Sequence, residues 1–442
     1  MRRSRSAGSE TVWRNWGRTV EARPLSVVAP ASADEVSTLV RIAAAAGHRV
    51  KAVGAGHSFT GIAQPEEVQM TLDRMTGLVR VDAAARTVTL RAGTRLHAIP
   101  ELLAPYALAM ENVGDIDAQS IAGAISTGTH GTGRGFRGIA AQVRGAVLVT
   151  ADGELLRVDA DHRPELLPAV ALGLGALGVL VEVTLQCVEA FDLAAVETAE
   201  PLHDVLGTLD ERVATTDHFE FYWFPHTDRA LTKSNTRVAA GASRAPLSST
   251  RRWFDESFMA NGVFGATTAF SRAVPAAVPV LNRAAAVLSG ERAFSDVSSK
   301  VFTTRRSVRF VEMEYAISAE HVVEAFAEVR AAIDRAGWRI SFPIEVRFAA
   351  EDELWLSTAY RRRSAYIAVH RTAGEDFAPY FHEVERIMRR YDGRPHWGKM
   401  HWREAGDLAE AYPRFTDFTA LREHLDPQGV FLNPYLRRVL GA

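Results

Sequence analysis

The sequence predicts an α+β protein built from two units. Three observations carry that reading. A β-α-β pattern near the N-terminus runs into a glycine loop, "VKAVGAGHSFTG". A second stretch, residues 114–136, is dense in glycine, serine and threonine. After about residue 190 the pattern changes to longer alternating strands and amphipathic helices. A chain of 442 residues is too long for one simple core, so two domains are expected. The expected division is a disordered tail over 1–12, a first domain over 13–190 and a second over 191–400. A C-terminal segment, 401–442, is apolar and aromatic enough to dock back on the first domain.

The elements follow in order. "LSVVAP" reads as a strand. "ASADEVSTLVRIAAAAG" reads as a helix, with Ser32 and Glu35 as a capping box, Val36, Leu39, Val40 and Ala43 on one apolar face, and Gly47 placed to end it. "RVKAV" is the next strand and delivers the glycine loop at its end, where ligands sit in α/β folds. Strands follow in "LVRVD" and "TVTLRA", then a helix near "LHAIPELLAPYAL". "VRGAVLVTADGELLRV" reads as a hairpin turning at Asp152-Gly153, and "LGALGVLVEVTLQCV" as a buried strand. In the second half, "HFEFYWFP", "VRFVEMEYAI", "FPIEVRFAA" and "AYIAVHR" alternate as strands do. Helices at "AEHVVEAFAEVRAAIDRAG" and "FAPYFHEVERIMRRYDG" would back a mainly antiparallel sheet.

Composition narrows the function. The net charge of −2 gives no support to nucleic-acid binding. The single cysteine, Cys187, lies in an apolar strand and rules out disulfides, CxxC redox chemistry and cysteine-ligated zinc. The N-terminal "MRRSRSAGSE" has paired arginines but no apolar segment after them, and no run approaches the ~18 apolar residues of a membrane span. A cytoplasmic protein is expected. The alanine- and aromatic-rich stretch from Trp253 to Leu288 reads as a helical packing surface, with peripheral membrane contact as the second reading.

In the first glycine loop, Gly54 and Gly56 permit a sharp turn and close backbone approach to a ligand, and His57 and Ser58 follow directly. The second stretch offers many N–H groups and hydroxyls, which suits a pyrophosphate, while Ile116, Ile121 and Ile125 would bury it. In "FPIEVRFAA", alternation sets Glu345 and Arg347 on one strand face and Ile344, Val346 and Phe348 on the other; the pair is either a polar site or a surface ion pair. Tyr366, Ala368 and His370 share a face of a neighbouring strand. "RPHWGKMHW" sets Lys399 beside His396 and His401. On a helix those histidines would diverge by about 140°, so no metal site is expected. Phe59 at the third glycine position weakens a nicotinamide-binding reading, and P-loop and serine-hydrolase motifs are absent from the sequence.

"VGAGHSF", "SIAGAISTGTHGTG", "FPIEVRF" and "HWGKMH" occur in this order, and in that arrangement the chain resembles the aldonolactone oxidoreductases of the vanillyl-alcohol-oxidase flavoprotein superfamily. The likeness runs from about residue 13 to the "FLNPYLRRVLG" end. It implies an FAD-binding domain of two α+β subdomains, completed by the C-terminal segment, and a cap domain over the flavin ring. It implies that Val53, Gly54, Ala55, Gly56, His57 and Ser58 wrap the pyrophosphate, with His57 bonded to the flavin 8α-methyl carbon. Ser120, Gly123, Thr127, Gly131 and Thr132 would line the cofactor's other side. It further implies oxidation of a sugar-acid lactone at C2 to an ascorbate-type product, with hydride passing to flavin N5. Glu345, Arg347 and Lys399 would be catalytic, and Ser120 and His370 would touch substrate. Oxygen or a redox carrier would take the electrons. An alditol oxidase shares several of these motifs and is the second reading, though "FEFYWFP" and "MEYAI" favour the lactone enzyme. A flavin-binding module without catalysis is the third.

Overall fold

The computed structural model describes residues 12–239, 242–252, 262–288, 290–304 and 308–442. The expected disordered tail, apart from Val12, and the start of the Trp253–Leu288 stretch lie outside these residues. The rest of that stretch forms helices Phe264–Ala273 and Val278–Leu288. Among the described residues no helix is long and apolar enough to cross a membrane.

The first β-α-β unit comprises strand Ser26–Val28, helix Ala33–Ala45 and strand Val50–Val53. Both strands pair in parallel with Val68–Thr71, which lies between them. Ser32 caps the helix by accepting from Glu35 N at 3.2 Å. The Glu35 carboxylate reaches past the cap to Ala31 N (2.9 Å), so the reciprocal bond of a capping box is displaced by one residue. Val36, Val40 and Ala43 are buried, and Gly47 ends the helix at φ +70°. A five-stranded antiparallel sheet follows. It contains the hairpin of Val143–Val149 with Leu155–Asp159, and Val179–Gln186 sits at its centre.

From Asp192 onward the strands join an eight-stranded sheet in which every pairing is antiparallel. Its two faces differ sharply. Phe219, Phe221, Trp223, Ile344, Val346, Ile367, Val369, Val311 and Met313 form one core with helices Val322–Ala336 and Ala378–Arg389. The alternate residues include Glu220, Glu345, Arg347, His370, Glu312 and Glu314, all buried on the opposite face, toward the first half of the chain.

The last helices, Ala405–Ala411, Phe415–Leu425 and Pro434–Leu440, pack into the core of the first half. Leu408, Tyr412, Phe418, Phe431 and Leu436 join Val36, Val40, Ile121 and Val183 there. Asn433 locks this return. Its Nδ2 donates to the carbonyls of Gly61, Ile62 and Gln64 (2.9, 3.1 and 2.9 Å), and its Oδ1 accepts from Leu436 N at 2.9 Å. Asn433→Ala removes a helix cap and the shared side-chain donor of three carbonyls, of which Gly61 O keeps its bond from Gln64 N. It should lower unfolding stability by about 2–4 kcal/mol, measured by denaturant melts; an unchanged midpoint would show that the apolar contacts alone hold the segment.

Candidate active site

The two glycine-rich motifs form facing walls of a partly open cleft that encloses about 100 Å³. Gly56 turns the first loop at φ +66°. Gly54 lies so close to the second motif that a Cβ there would sit 2.6 Å from Ser120 Oγ. Within the second motif Ile121–Thr127 is a helix, buried through Ile121, Ala124 and Ile125. Ser120 caps it by accepting from Gly123 N (3.2 Å), and Gly128 ends it at φ +78°. Val53, Gly54, Ala55, Gly56, His57, Ser58, Ser120, Gly123 and Thr127 all line the cleft, with Leu174, Gly175, Gly178 and Leu180 supplying further wall.

Gly131 and Thr132 are not among the residues that line this cleft. Beyond Gly128 the chain turns to the large sheet. Thr132 Oγ1 donates to Phe219 O (2.6 Å) and accepts from Phe348 N (3.2 Å). Gly131 packs so tightly that a Cβ would lie 2.3 Å from Val113 O. Lys51, not singled out by the sequence, does line the cleft. Its Nζ donates to Gly175 O (3.3 Å) and Phe431 O (3.1 Å). Burial pushes its pKa down to about 7, with Asp426 opposing.

His57 stacks on Trp16, ring centroids 5.5 Å apart, and its Nδ1 is buried without a hydrogen-bond partner. Burial lowers its pKa below the ordinary histidine value. Lys399 and Arg95 add to that, while the Ala55 carbonyl and Asp117 oppose it. A neutral imidazole with an orphaned ring nitrogen, beside glycines that permit close approach, fits a bound aromatic cofactor at this end of the cleft.

The Glu345–Arg347 pair is buried and is not a surface ion pair. Arg347 Nη2 meets Asp115 Oδ2 at 2.8 Å, Nε donates to Glu220 Oε2 at 3.0 Å, and the guanidinium also pairs with Glu345. Burial works against its charge, yet Asp115, Glu345 and Glu220 together hold its pKa well above the arginine value. Lys233 Nζ lies 3.4 Å from Glu220 Oε1.

Lys399 arrives on a segment bonded to both halves of the protein. Phe59 N donates to Gly398 O (2.7 Å) and Thr60 Oγ1 to Trp397 O (3.1 Å). On the other side His396 N donates to Glu314 O (3.0 Å) and Met400 N to Glu312 O (2.9 Å). The Lys399 ammonium pairs with Glu312, and His370 Nε2 lies 3.7 Å from Glu312 Oε1. Polar atoms of Glu312, Glu345 and His370 all lie within 4.8 Å of one another, so Arg347, Glu345, Glu312 and Lys399 form one continuous polar line. Asp115, Glu220, Glu312 and Glu314 were missed. The signal for three of them was present in "HFEFYWFP" and "VRFVEMEYAI", where glutamates alternate with apolar residues.

Among the described residues two groups have metal-ligand spacing, His130–Glu314–His396 and Glu312–Glu345–His370. Each already holds a counter-charge or hydrogen bond. His130 Nε2 is 3.4 Å from Glu314, Glu312 binds Lys399, and His396 Nδ1 accepts from Gly398 N at 3.0 Å. The segment around His396 is not a helix; His401 turns instead to Tyr435 Oη, 2.7 Å away. Exhaustive chelation should therefore leave the melting temperature unchanged; a fall restored by a divalent metal would show that one group holds an ion.

Comparison with known proteins agrees with this arrangement. Residues 183–439 match the D-arabinono-1,4-lactone oxidase family, and residues 24–159 match an FAD binding domain. The chain is 43% identical to the L-gulono-1,4-lactone dehydrogenase of Mycobacterium tuberculosis, with 97% of this chain and 99% of that one covered. It is 32% identical to the L-gulonolactone oxidase of Bos taurus, over 97% and 98%. In fold it is similar to cholesterol oxidase from Brevibacterium sterolicum, with TM-score 0.83, 17% identity, and 97% and 96% covered. The cleft, the buried polar line and these likenesses over nearly the whole length converge: the chain belongs to the D-arabinono-1,4-lactone oxidase family of FAD-dependent oxidoreductases.

Proposed function

We propose that this enzyme oxidises a sugar-acid 1,4-lactone, of the L-gulono, L-galactono or D-arabinono type, at its C2 hydroxyl. The product is a 2-keto lactone whose enediol is ascorbate-like. The observation that carries the reading is the polar line that runs from Arg347 and Glu345 on the buried sheet face through Glu312 to Lys399, which is carried by the segment that binds the His57 loop. Bound FAD supplies the hydride acceptor. The protein's own residues do the rest. Arg347 and Lys399 offer N–H donors to substrate oxygens as they gain negative charge. Glu345 orients the C2 hydroxyl and accepts its proton. Ser120 and His370 complete the substrate contacts, and burial keeps water from competing. The backbone of Val53–Ser58 cradles the pyrophosphate.

Anaerobic mixing with a panel of lactones and xylitol tests this directly. Lactone should bleach the flavin far faster than xylitol, and the reverse order would make the protein an alditol oxidase. Lys399→Ala and Arg347→Lys should slow flavin reduction by roughly tenfold to a thousandfold with flavin still bound. Lysine is preferred at 347 because alanine would leave Asp115, Glu220 and Glu345 without their shared counter-charge. Unchanged reduction in both variants would remove these residues from the chemistry.

His57 is proposed to bond the flavin through its 8α-methyl carbon. The orphaned, buried Nδ1 and the neutral imidazole support this. Acid-precipitated protein should stay yellow and its gel band should fluoresce, whereas His57→Ala should release all retained flavin on denaturation. Wild-type protein that sheds its FAD into the acid supernatant would end the covalent reading.

A further inference from the structure

The residues assigned to the reaction leave one buried carboxylate at the centre of the polar line without a role. Glu312 stands on strand Phe310–Ser318, directly opposite His370 in the register. It is 5% exposed, so it is a charge almost wholly removed from water. Three groups crowd it: the Lys399 ammonium, His370 Nε2 at 3.7 Å, and Glu345, whose carboxylate lies within 4.8 Å. Glu314, two residues along the same face, adds a further negative charge. Glu345 in turn faces Arg347 on its own strand and Tyr222 on the next. Glu220 and Asp115 share that Arg347.

A half-buried ammonium needs a counter-charge, and its flexible four-carbon stem needs a partner to fix it. Glu312 supplies both, and its second oxygen faces the imidazole. A negative charge so near Glu345 also disfavours a second negative charge there, which makes Glu345 the better base. Burial opposes ionisation of Glu312, but Lys399 and His370 outweigh it and hold its pKa below the ordinary carboxylate value, so the charge persists throughout the working range.

We propose that Glu312 is a positioning residue for the oxidation: it sets the places of Lys399 and His370 and biases Glu345 toward accepting the substrate proton. The proposal rests on the lactone reading, and wild-type flavin bleached by lactone establishes that reading first. The variants are then compared with wild type under nitrogen, across pH, with rates expressed per bound flavin.

Glu312→Gln keeps the shape and removes the charge. It should slow flavin reduction about tenfold or more at saturating lactone, change the lactone concentration for half-maximal rate much less, and move the acidic limb of the pH profile to lower pH. Glu312→Asp keeps the charge and shortens the reach. It should lose rate while leaving the acidic limb in place, and it decides the matter should the glutamine variant fail to hold flavin. A purely structural Glu312 would change melting temperature and flavin content but leave the pH limb and saturating rate per flavin at wild-type values. That result, in either folded variant, overturns the proposal.

Discussion

The period of two along the strands of the large sheet is the constraint on which everything else rests. It gives one face to aromatic and aliphatic side chains, sealed by two helices, and the other to charged groups that must be buried to work. Charges in such a place are tolerable only when paired, because an isolated one costs several kcal/mol. The face is therefore wired continuously. Arg347 serves three carboxylates and Lys399 serves Glu312, while His130 sits against Glu314. The same pairing that makes burial possible fixes each group's direction, so the stability requirement and the chemical requirement are met by one set of contacts.

Two short segments transmit this order to the cofactor cleft. Residues 396–400 bond the glycine loop on one side and the edge of the sheet on the other, so Lys399 has little freedom relative to either. Thr132 does the corresponding work further along, its hydroxyl bridging Phe219 and Phe348. The cleft and the charged face are thus held in register by hydrogen bonds to backbone groups.

Much of this was legible in the sequence, but unevenly. Local periodicity gave the helix after Ser32, the hairpin at Asp152-Gly153, and the shared face of Glu345 and Arg347. The resemblance supplied the cleft-lining residues of the first loop. Strand period, however, tells which face a residue takes and not which strands are neighbours. The partners of Arg347 come from strand His218–Trp223 and from Asp115, and those of Lys399 from strand Phe310–Ser318, so the network could not be read until the sheet order was known. The helix at Ile121–Thr127 was hidden by its glycine and β-branched composition. It is set by a serine cap and by burial, which propensity does not see.

The C-terminal return carries a consequence for how the protein is made. Strand Val50–Val53 is bonded at Val50 N to Val430 O, and Lys51 in the cleft wall reaches Phe431, 380 residues later in the chain. Synthesis proceeds from the N-terminus, and early domains fold as they emerge. Here the glycine loop is made early yet lacks one of its supports until residues 430 and 431 have been added. The wall around Lys51 is therefore completed late in synthesis, and a nascent chain that stops short of Val430 has the loop without that support.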